Sequence, residues 1–148
     1  MSAARVAGCP LCETDGGLLV ARTPQCRVVR VLDEPAHPAF YRVIWHAHVA
    51  EFSDLSDTDR HACMDVVTQV ERALRALLAP TKVNLAALGN VVPHLHWHVI
   101  ARFDTDSHFP APIWAAARRE AAPQLARPLA EVDAAIAQSL ASATRTAG

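Results

Sequence analysis

The stretch "HLHWHVIARF" at residues 94–103 places a histidine at every second position of an otherwise apolar run. Side chains alternate between the two faces of an extended chain, so His94, His96 and His98 share one face while Leu95, Trp97 and Val99 share the other. One face is built for chemistry and the other for a core. An exposed strand with a merely polar outer face would favour histidine no more than threonine, lysine or glutamate. Three of the eight histidines on one face is hard to obtain from surface drift.

The elements around this run follow from composition and periodicity. "CRVVRVLDEP" (26–35) and "FYRVIWHAHV" (40–49) carry the β-branched and aromatic enrichment of strands, and the Pro35 to Pro38 stretch between them, with His37, fits a connection. A helix is expected from Ser56, the favoured N-cap because acidic residues fill the next turn, to Pro80. Its stripe of Met64, Val67, Val70, Leu74, Leu77 and Leu78 is a face for packing on a sheet. "KVNLAAL" (82–88) and 94–103 are two more strands, joined through Gly89-Asn90 by a connection that Pro93 keeps from being tight. "HFPAPIW" (108–114) is too proline-rich to lie inside a sheet. After Pro128, "LAEVDAAIAQSLASA" has helix propensity but weak amphipathicity, and is expected as a surface helix or a partly frayed tail. The order β-β-α-β-β with short connections predicts an α+β domain with an antiparallel sheet. At 148 residues the whole chain, 1–148, is most simply one domain.

Charge and cysteines restrict what such a domain does. A formal net charge of -1 gives no basic field to draw the chain onto nucleic acid or anionic lipid, so neither is expected as a partner. No apolar run approaches the roughly 20 residues of a membrane span. Val6-Ala7-Gly8-Cys9 resembles a lipoprotein cleavage box, but the five residues before it leave no room for an apolar signal region. The expected location is therefore the cytoplasm, where the four cysteines would be reduced thiols or metal ligands rather than a disulfide framework.

A row of imidazoles suits metal ligation or acid, base and nucleophilic work near neutral pH. A neutral imidazole attacks phosphorus when its second nitrogen is held as N–H by an acceptor, and a neighbouring imidazole steadies the oxygens or assists the leaving group. "HLHWHVI" fits His-φ-His-φ-His-φ-φ, with φ hydrophobic, and so resembles the histidine triad (HIT) family over all seven positions. The resemblance extends over about residues 9–114 and leaves 115–148 as a C-terminal extension. It implies a HIT-like fold, with an antiparallel sheet of about five strands packed with one long helix. It implies a homodimer with one ten-stranded sheet across two protomers. It also implies that His96 attacks the α-phosphorus of a nucleotide ester, anhydride or phosphoramidate, that a nucleotidyl-histidine forms and is hydrolysed, and that His98 contacts the phosphate of a purine nucleotide.

"CPLC" (9–12) has the spacing of half a zinc site, since Cys-x2-Cys lets one turn present two thiolates to a tetrahedral ion. A redox dithiol is the rival, but the flanking sequence has no βαβ frame; a pair of unliganded thiols is the plainer alternative. By resemblance to zinc-containing bacterial members of the family, Cys9 and Cys12 would be joined by His48 and His94. His46, two residues earlier, stays open as the third ligand. Four protein ligands leave no open position, so the Zn2+ would be structural. Cys26 and Cys63 are expected as buried small residues. No Walker-type loop or acidic cluster is present, so no catalytic Mg2+ is expected and turnover should persist in EDTA over a short assay.

Three polar positions match phosphate- or ribose-contacting residues of the family, each with a local alternative. Asn90 is also a turn former, Asn84 also a strand-end residue and Asp33 also a turn cap. Many members carry a hydroxyl residue where this chain has Val91, which leaves backbone N–H groups and Asn90 to bind phosphate oxygens. Trp114 is expected as an interface residue or a rim of the nucleotide pocket. The function so implied is that of a nucleotide hydrolase or transferase. The alternatives are a non-catalytic nucleotide-binding or signalling module with a structural zinc, and a metal-handling site.

Overall fold

From His96 to Arg102 the alternating run forms a strand, held between two others in a five-stranded antiparallel sheet, while His94 and Leu95, expected on it, precede its start. The computed structural model describes residues 3–146. Its strands are β1 (Leu18–Arg22), β2 (Cys26–Arg30), β3 (Phe40–Trp45), β4 (Lys82–Ala86) and β5 (His96–Arg102), in the order β1-β2-β3-β5-β4. Three helices accompany them: α1 (Pro10–Glu13), α2 (Asp57–Leu78) and α3 (Leu129–Thr146). A single 3-10 turn, Phe52–Asp54, leads into α2.

Pairing fixes which residues share a face. His98 lies opposite Arg42 on β3 and Ala86 on β4, and His96 lies opposite Ile44. On the other face Tyr41, Val43, Trp45 and Val99 pack with both long helices in the main core, to which α2 gives Val67, Val70 and Leu74 and α3 gives Val132, Ile136 and Leu140. Fully burying a side chain of this class contributes about 1.5–3 kcal/mol, so one face of the sheet carries most of the fold's apolar burial. The histidine face carries two smaller apolar clusters, around Val29 and Ile44 and around Phe40 and Ile100, with the polar side chains between and beside them.

The start of α2 follows its sequence signals: the Ser56 hydroxyl accepts from the Asp59 N–H at 3.1 Å, with Asp57 and Asp59 in the first turn favoured by the helix dipole. It ends at Ala79, left-handed at φ 45, just before Pro80. Cys26 and Cys63 are buried in the main core at 1% exposure each.

Three expectations need correction. A first strand, β1, precedes the elements read from periodicity; its residues are exposed or half-buried, and its segment opens with Gly16-Gly17, so it lacks a strand's apolar signature. The stretch 26–35 leaves the sheet after Arg30 and the stretch 40–49 leaves it after Trp45. Finally, α3 is neither a surface helix nor a frayed tail. Val132, Ile136 and Leu140 recur every fourth residue and are 0%, 0% and 4% exposed, and Asp133 accepts from Tyr41 Oη at 2.7 Å and from Arg30 Nε at 3.1 Å. The many alanines between those three residues dilute the stripe.

Candidate active site and metal centre

Cys9, Cys12, His48 and His94 converge on the histidine side of the sheet, their candidate ligand atoms all within 4.8 Å of one another. The Nδ1 atom of His94 is 3.4 Å from both sulfurs, and the Nδ1 of His48 is 3.5 Å from that of Cys12. The His94 Nε2 atom is 2.6 Å from the carbonyl oxygen of Trp45. A carbonyl only accepts, so Nε2 carries the proton and Nδ1 presents its lone pair to the sulfurs, the orientation a metal-ligating imidazole requires. Two thiols and two imidazoles are the donor set of a closed tetrahedral zinc site.

His46 is directed elsewhere. Because β3 stops at Trp45, strand alternation no longer ties residue 46 to residue 48. The His46 Nε2–H donates to the Thr23 carbonyl at 3.0 Å, and its main-chain N–H donates to Gln25. Behind the cysteines the Arg27 guanidinium donates to the carbonyls of Leu11 (2.7 Å), Asp15 (2.9 Å) and Thr14 (3.0 Å), while Arg5 donates to the carbonyl of Cys12. Arg27 thus fixes the far end of the α1 loop. Its sequence signal was an arginine inside the apolar run "CRVVRV" at a position facing the histidine side, and it went unread.

Beside this cluster lies a cleft of about 560 Å³, bordered by α1, by the 88–92 connection and by His96, His98, Arg42 and Trp114. The His96 Nδ1 atom is 2.6 Å from the carbonyl oxygen of His94. By the same reasoning Nδ1 is protonated and Nε2 is left with a free lone pair. Burial, offset in part by this hydrogen bond, lowers the His96 pKa, with the charge of Arg42 acting in the same direction. His98 sits with its ring centroid 4.9 Å from that of His96 and 5.2 Å from Trp114. Burial, then the nearby His96 and Arg42, push its pKa down to about 3. His98 is neutral at any ordinary pH, and its buried Nδ1 has no hydrogen-bond partner among the described residues.

The remaining positions divide. Asn90 is exposed on the cleft's edge, and Val91 beside it is 93% exposed. Asn84 shares the histidine face, but its Oδ1 accepts from Arg102 at 2.8 Å and it does not border the cleft. Asp33 is exposed in the β2–β3 connection, where its charge reaches Arg42. Arg42 was missed by sequence reasoning, though an arginine at an inward position of an apolar strand was the available signal. Its Nη1 donates to the Gly16 carbonyl at 3.3 Å, its guanidinium is 5.5 Å from the Phe40 ring centroid, and its buried Nε has no partner among the described residues. Arg102 anchors the segment leading to Trp114 by donating to Asp106 at 2.8 Å and to the Ala111 carbonyl at 2.7 Å.

The HIT domain family matches residues 17–105. The chain belongs to that family. A histidine triad protein from Bradyrhizobium japonicum is 29% identical, with a TM-score of 0.68 over 94% of this HIT chain and 97% of its own. One from Sinorhizobium meliloti is 26% identical, with a TM-score of 0.66 over 82% of this chain and 88% of its own. A zinc-bound histidine triad family protein from Mycobacterium smegmatis, 18% identical, shares the fold with a TM-score of 0.56 over 93% of this chain and 94% of its own. The AP-4-A phosphorylase of Mycobacterium tuberculosis is 28% identical over 106 residues, 68% of this chain and 54% of that protein. This HIT chain therefore spans about half the length of the curated relatives it matches. The matched family region ends before α3, whereas the Bradyrhizobium likeness extends over nearly the whole chain.

Proposed function

We propose that this HIT protein is a hydrolase or transferase that cleaves nucleoside phosphoramidates, esters or dinucleoside polyphosphates at the α-phosphate. The observation that carries the reading is the His96 imidazole: its Nδ1 is tied to the His94 carbonyl at 2.6 Å and its Nε2 is left for a substrate in the cleft. Held in that tautomer, Nε2 donates its lone pair to the α-phosphorus as the bond from phosphorus to the leaving-group oxygen or nitrogen breaks. The leaving group takes the electron pair of that bond. Water then attacks the nucleotidyl-histidine, the P–N bond breaks and the imidazole is regenerated, and the proton that the water releases to solvent balances the one that the leaving group takes up.

His98 stays neutral because protonating it in this buried setting is costly, and it offers the phosphoryl oxygens an N–H without adding a formal charge. Asn90 and the backbone of the 88–92 connection, which border the cleft, would meet the same oxygens. The 28% identity to an AP-4-A phosphorylase favours a purine dinucleoside polyphosphate among the candidate substrates.

In this reading Cys9, Cys12, His48 and His94 would hold a Zn2+ ion, which would supply a cross-link between the α1 loop and the residue preceding β5. The protein is taken to be a homodimer, with β4 at the sheet edge as the pairing strand. His96→Ala tests the reaction: turnover of adenosine phosphoramidate and of a diadenosine polyphosphate should fall more than about 100-fold with the melting curve unchanged. Wild-type protein that binds nucleotide yet turns over neither substrate would instead establish a binding module.

A further inference from the structure

Arg42 is a guanidinium placed against the active-site imidazoles with most of its hydrogen-bonding capacity unused. Its position on β3 is directly opposite His98, and the two side chains share a face of the sheet. Directly opposed residues on antiparallel strands have Cα atoms roughly 4.5–5.5 Å apart, and His96 lies two positions further along the same face, about 7 Å away. Of its donors, Nη1 makes one long bond of 3.3 Å to the Gly16 carbonyl, and Nε is buried with no partner among the described residues. No carboxylate forms an ion pair with it among the described residues. Asp33 and Glu34, both exposed, are the acids whose field reaches it.

The use of Nη1 matters to what can bind. An arginine grips a phosphate or carboxylate through two parallel N–H donors, and the Nε–Nη2 edge is the pair left open here. A partly buried cation with an unused fork is costly unless an anion completes it. The neighbouring 88–92 connection offers no hydroxyl to do this work, since Val91 stands there fully exposed at the rim. A nucleoside carries no anionic group, so the charge-matched part of a nucleotide in this cleft is its phosphate.

We infer that Arg42 is a phosphate-binding residue of the cleft, gripping non-bridging oxygens of the substrate's α-phosphoryl group through its Nε–Nη2 edge. The inference rests on the reading of His96 as the group that meets phosphorus. It assigns to a β3 side chain the anion binding that residue 91 lacks the chemistry to provide. The Gly16 carbonyl that orients the guanidinium belongs to the loop following α1, so the metal-bearing loop also positions this phosphate contact.

Equilibrium binding of AMP and of adenosine, by calorimetry on the full chain, tests this without requiring turnover. Arg42→Met should weaken AMP roughly 10- to 100-fold, the value of a charge-assisted pair of hydrogen bonds, and leave adenosine within about twofold. Arg42→Lys should recover only part of the loss, because an ammonium cannot form the two-pronged contact. Arg42→Gln, which keeps donors but no charge, serves as the second variant should methionine disturb the fold, and should also weaken AMP selectively. Equal weakening of AMP and adenosine, unchanged AMP affinity, or no AMP binding by wild type at millimolar concentration would each overturn the assignment. Selective loss of AMP binding in the Arg42 variants, with a wild type that hydrolyses nothing, would uphold Arg42 while refuting the proposed reaction.

Discussion

The imidazole of His94 faces the sulfurs of Cys9 and Cys12 while its carbonyl oxygen, 2.6 Å from His96 Nδ1, sets the tautomer of the next histidine. One residue therefore joins the Cys–His cluster to the cleft through its side chain and its backbone. The neighbouring His98 makes a prediction about pH. Its folded pKa, about 3, is far below the 6.5 of an unperturbed histidine, so between those values the unfolded chain binds the extra proton. Its contribution to stability is complete above about pH 6.5 and declines as pH falls towards 3. Urea unfolding of wild type between pH 7.5 and 5 should show stability dropping more steeply than in His98→Gln; parallel curves would contradict the burial argument. At this scale the triad and the Cys9–Cys12 pair were legible because histidine and cysteine are rare and their spacing is regular. The choice between His46 and His48 was not, since it turns on β3 ending at Trp45, an event in the pairing rather than the composition. Arg27 and Arg42 were hidden because arginines in a strand read as surface residues until the sheet assigns their face.

At the scale of elements, α1 is only four residues long and owes its place to what it is tied to. Arg27 and Arg5 hold its carbonyls, and the Cys–His cluster holds its thiols. Protein purified without added zinc should carry about one equivalent per chain by metal analysis, His48→Ala should lose most of it, and His46→Ala should keep it. Retention by His48→Ala with loss by His46→Ala would reverse the ligand assignment. The C-terminal helix makes a separate claim on stability. Ile136 is fully buried between the sheet and α2, so Ile136→Ala should cost about 2–4 kcal/mol in chemical unfolding. A change under about 0.5 kcal/mol, the range of a surface substitution, would return α3 to the surface role its alanine-rich sequence suggested. Helix α2 was readable almost to the residue, from Ser56 to Pro80, because cap and stop signals are local. Strand β1 was not, since an edge strand exposed along much of its length has no alternation to show.

For the molecule as a whole, the α+β class and the antiparallel sheet followed from element order, whereas the joining of α2 and α3 into one layer needed the tertiary structure. That layer covers one face of the sheet, and the other carries the Cys–His cluster and the cleft side by side. Among the described residues β1 and β4 are the two edges of the sheet, and an exposed edge favours pairing with another chain. Sedimentation equilibrium should give twice the chain mass, and a monomer at all concentrations would refute the proposed dimer. The proposed reaction requires that His96 form a bond to phosphorus. Rapid acid-free denaturation during turnover of a diadenosine polyphosphate, followed by peptide mass spectrometry, measures that bond directly. A single nucleotidyl group on His96, absent in His96→Ala, is the predicted result; turnover with no adduct at any quench time, or an adduct on another residue, would contradict it.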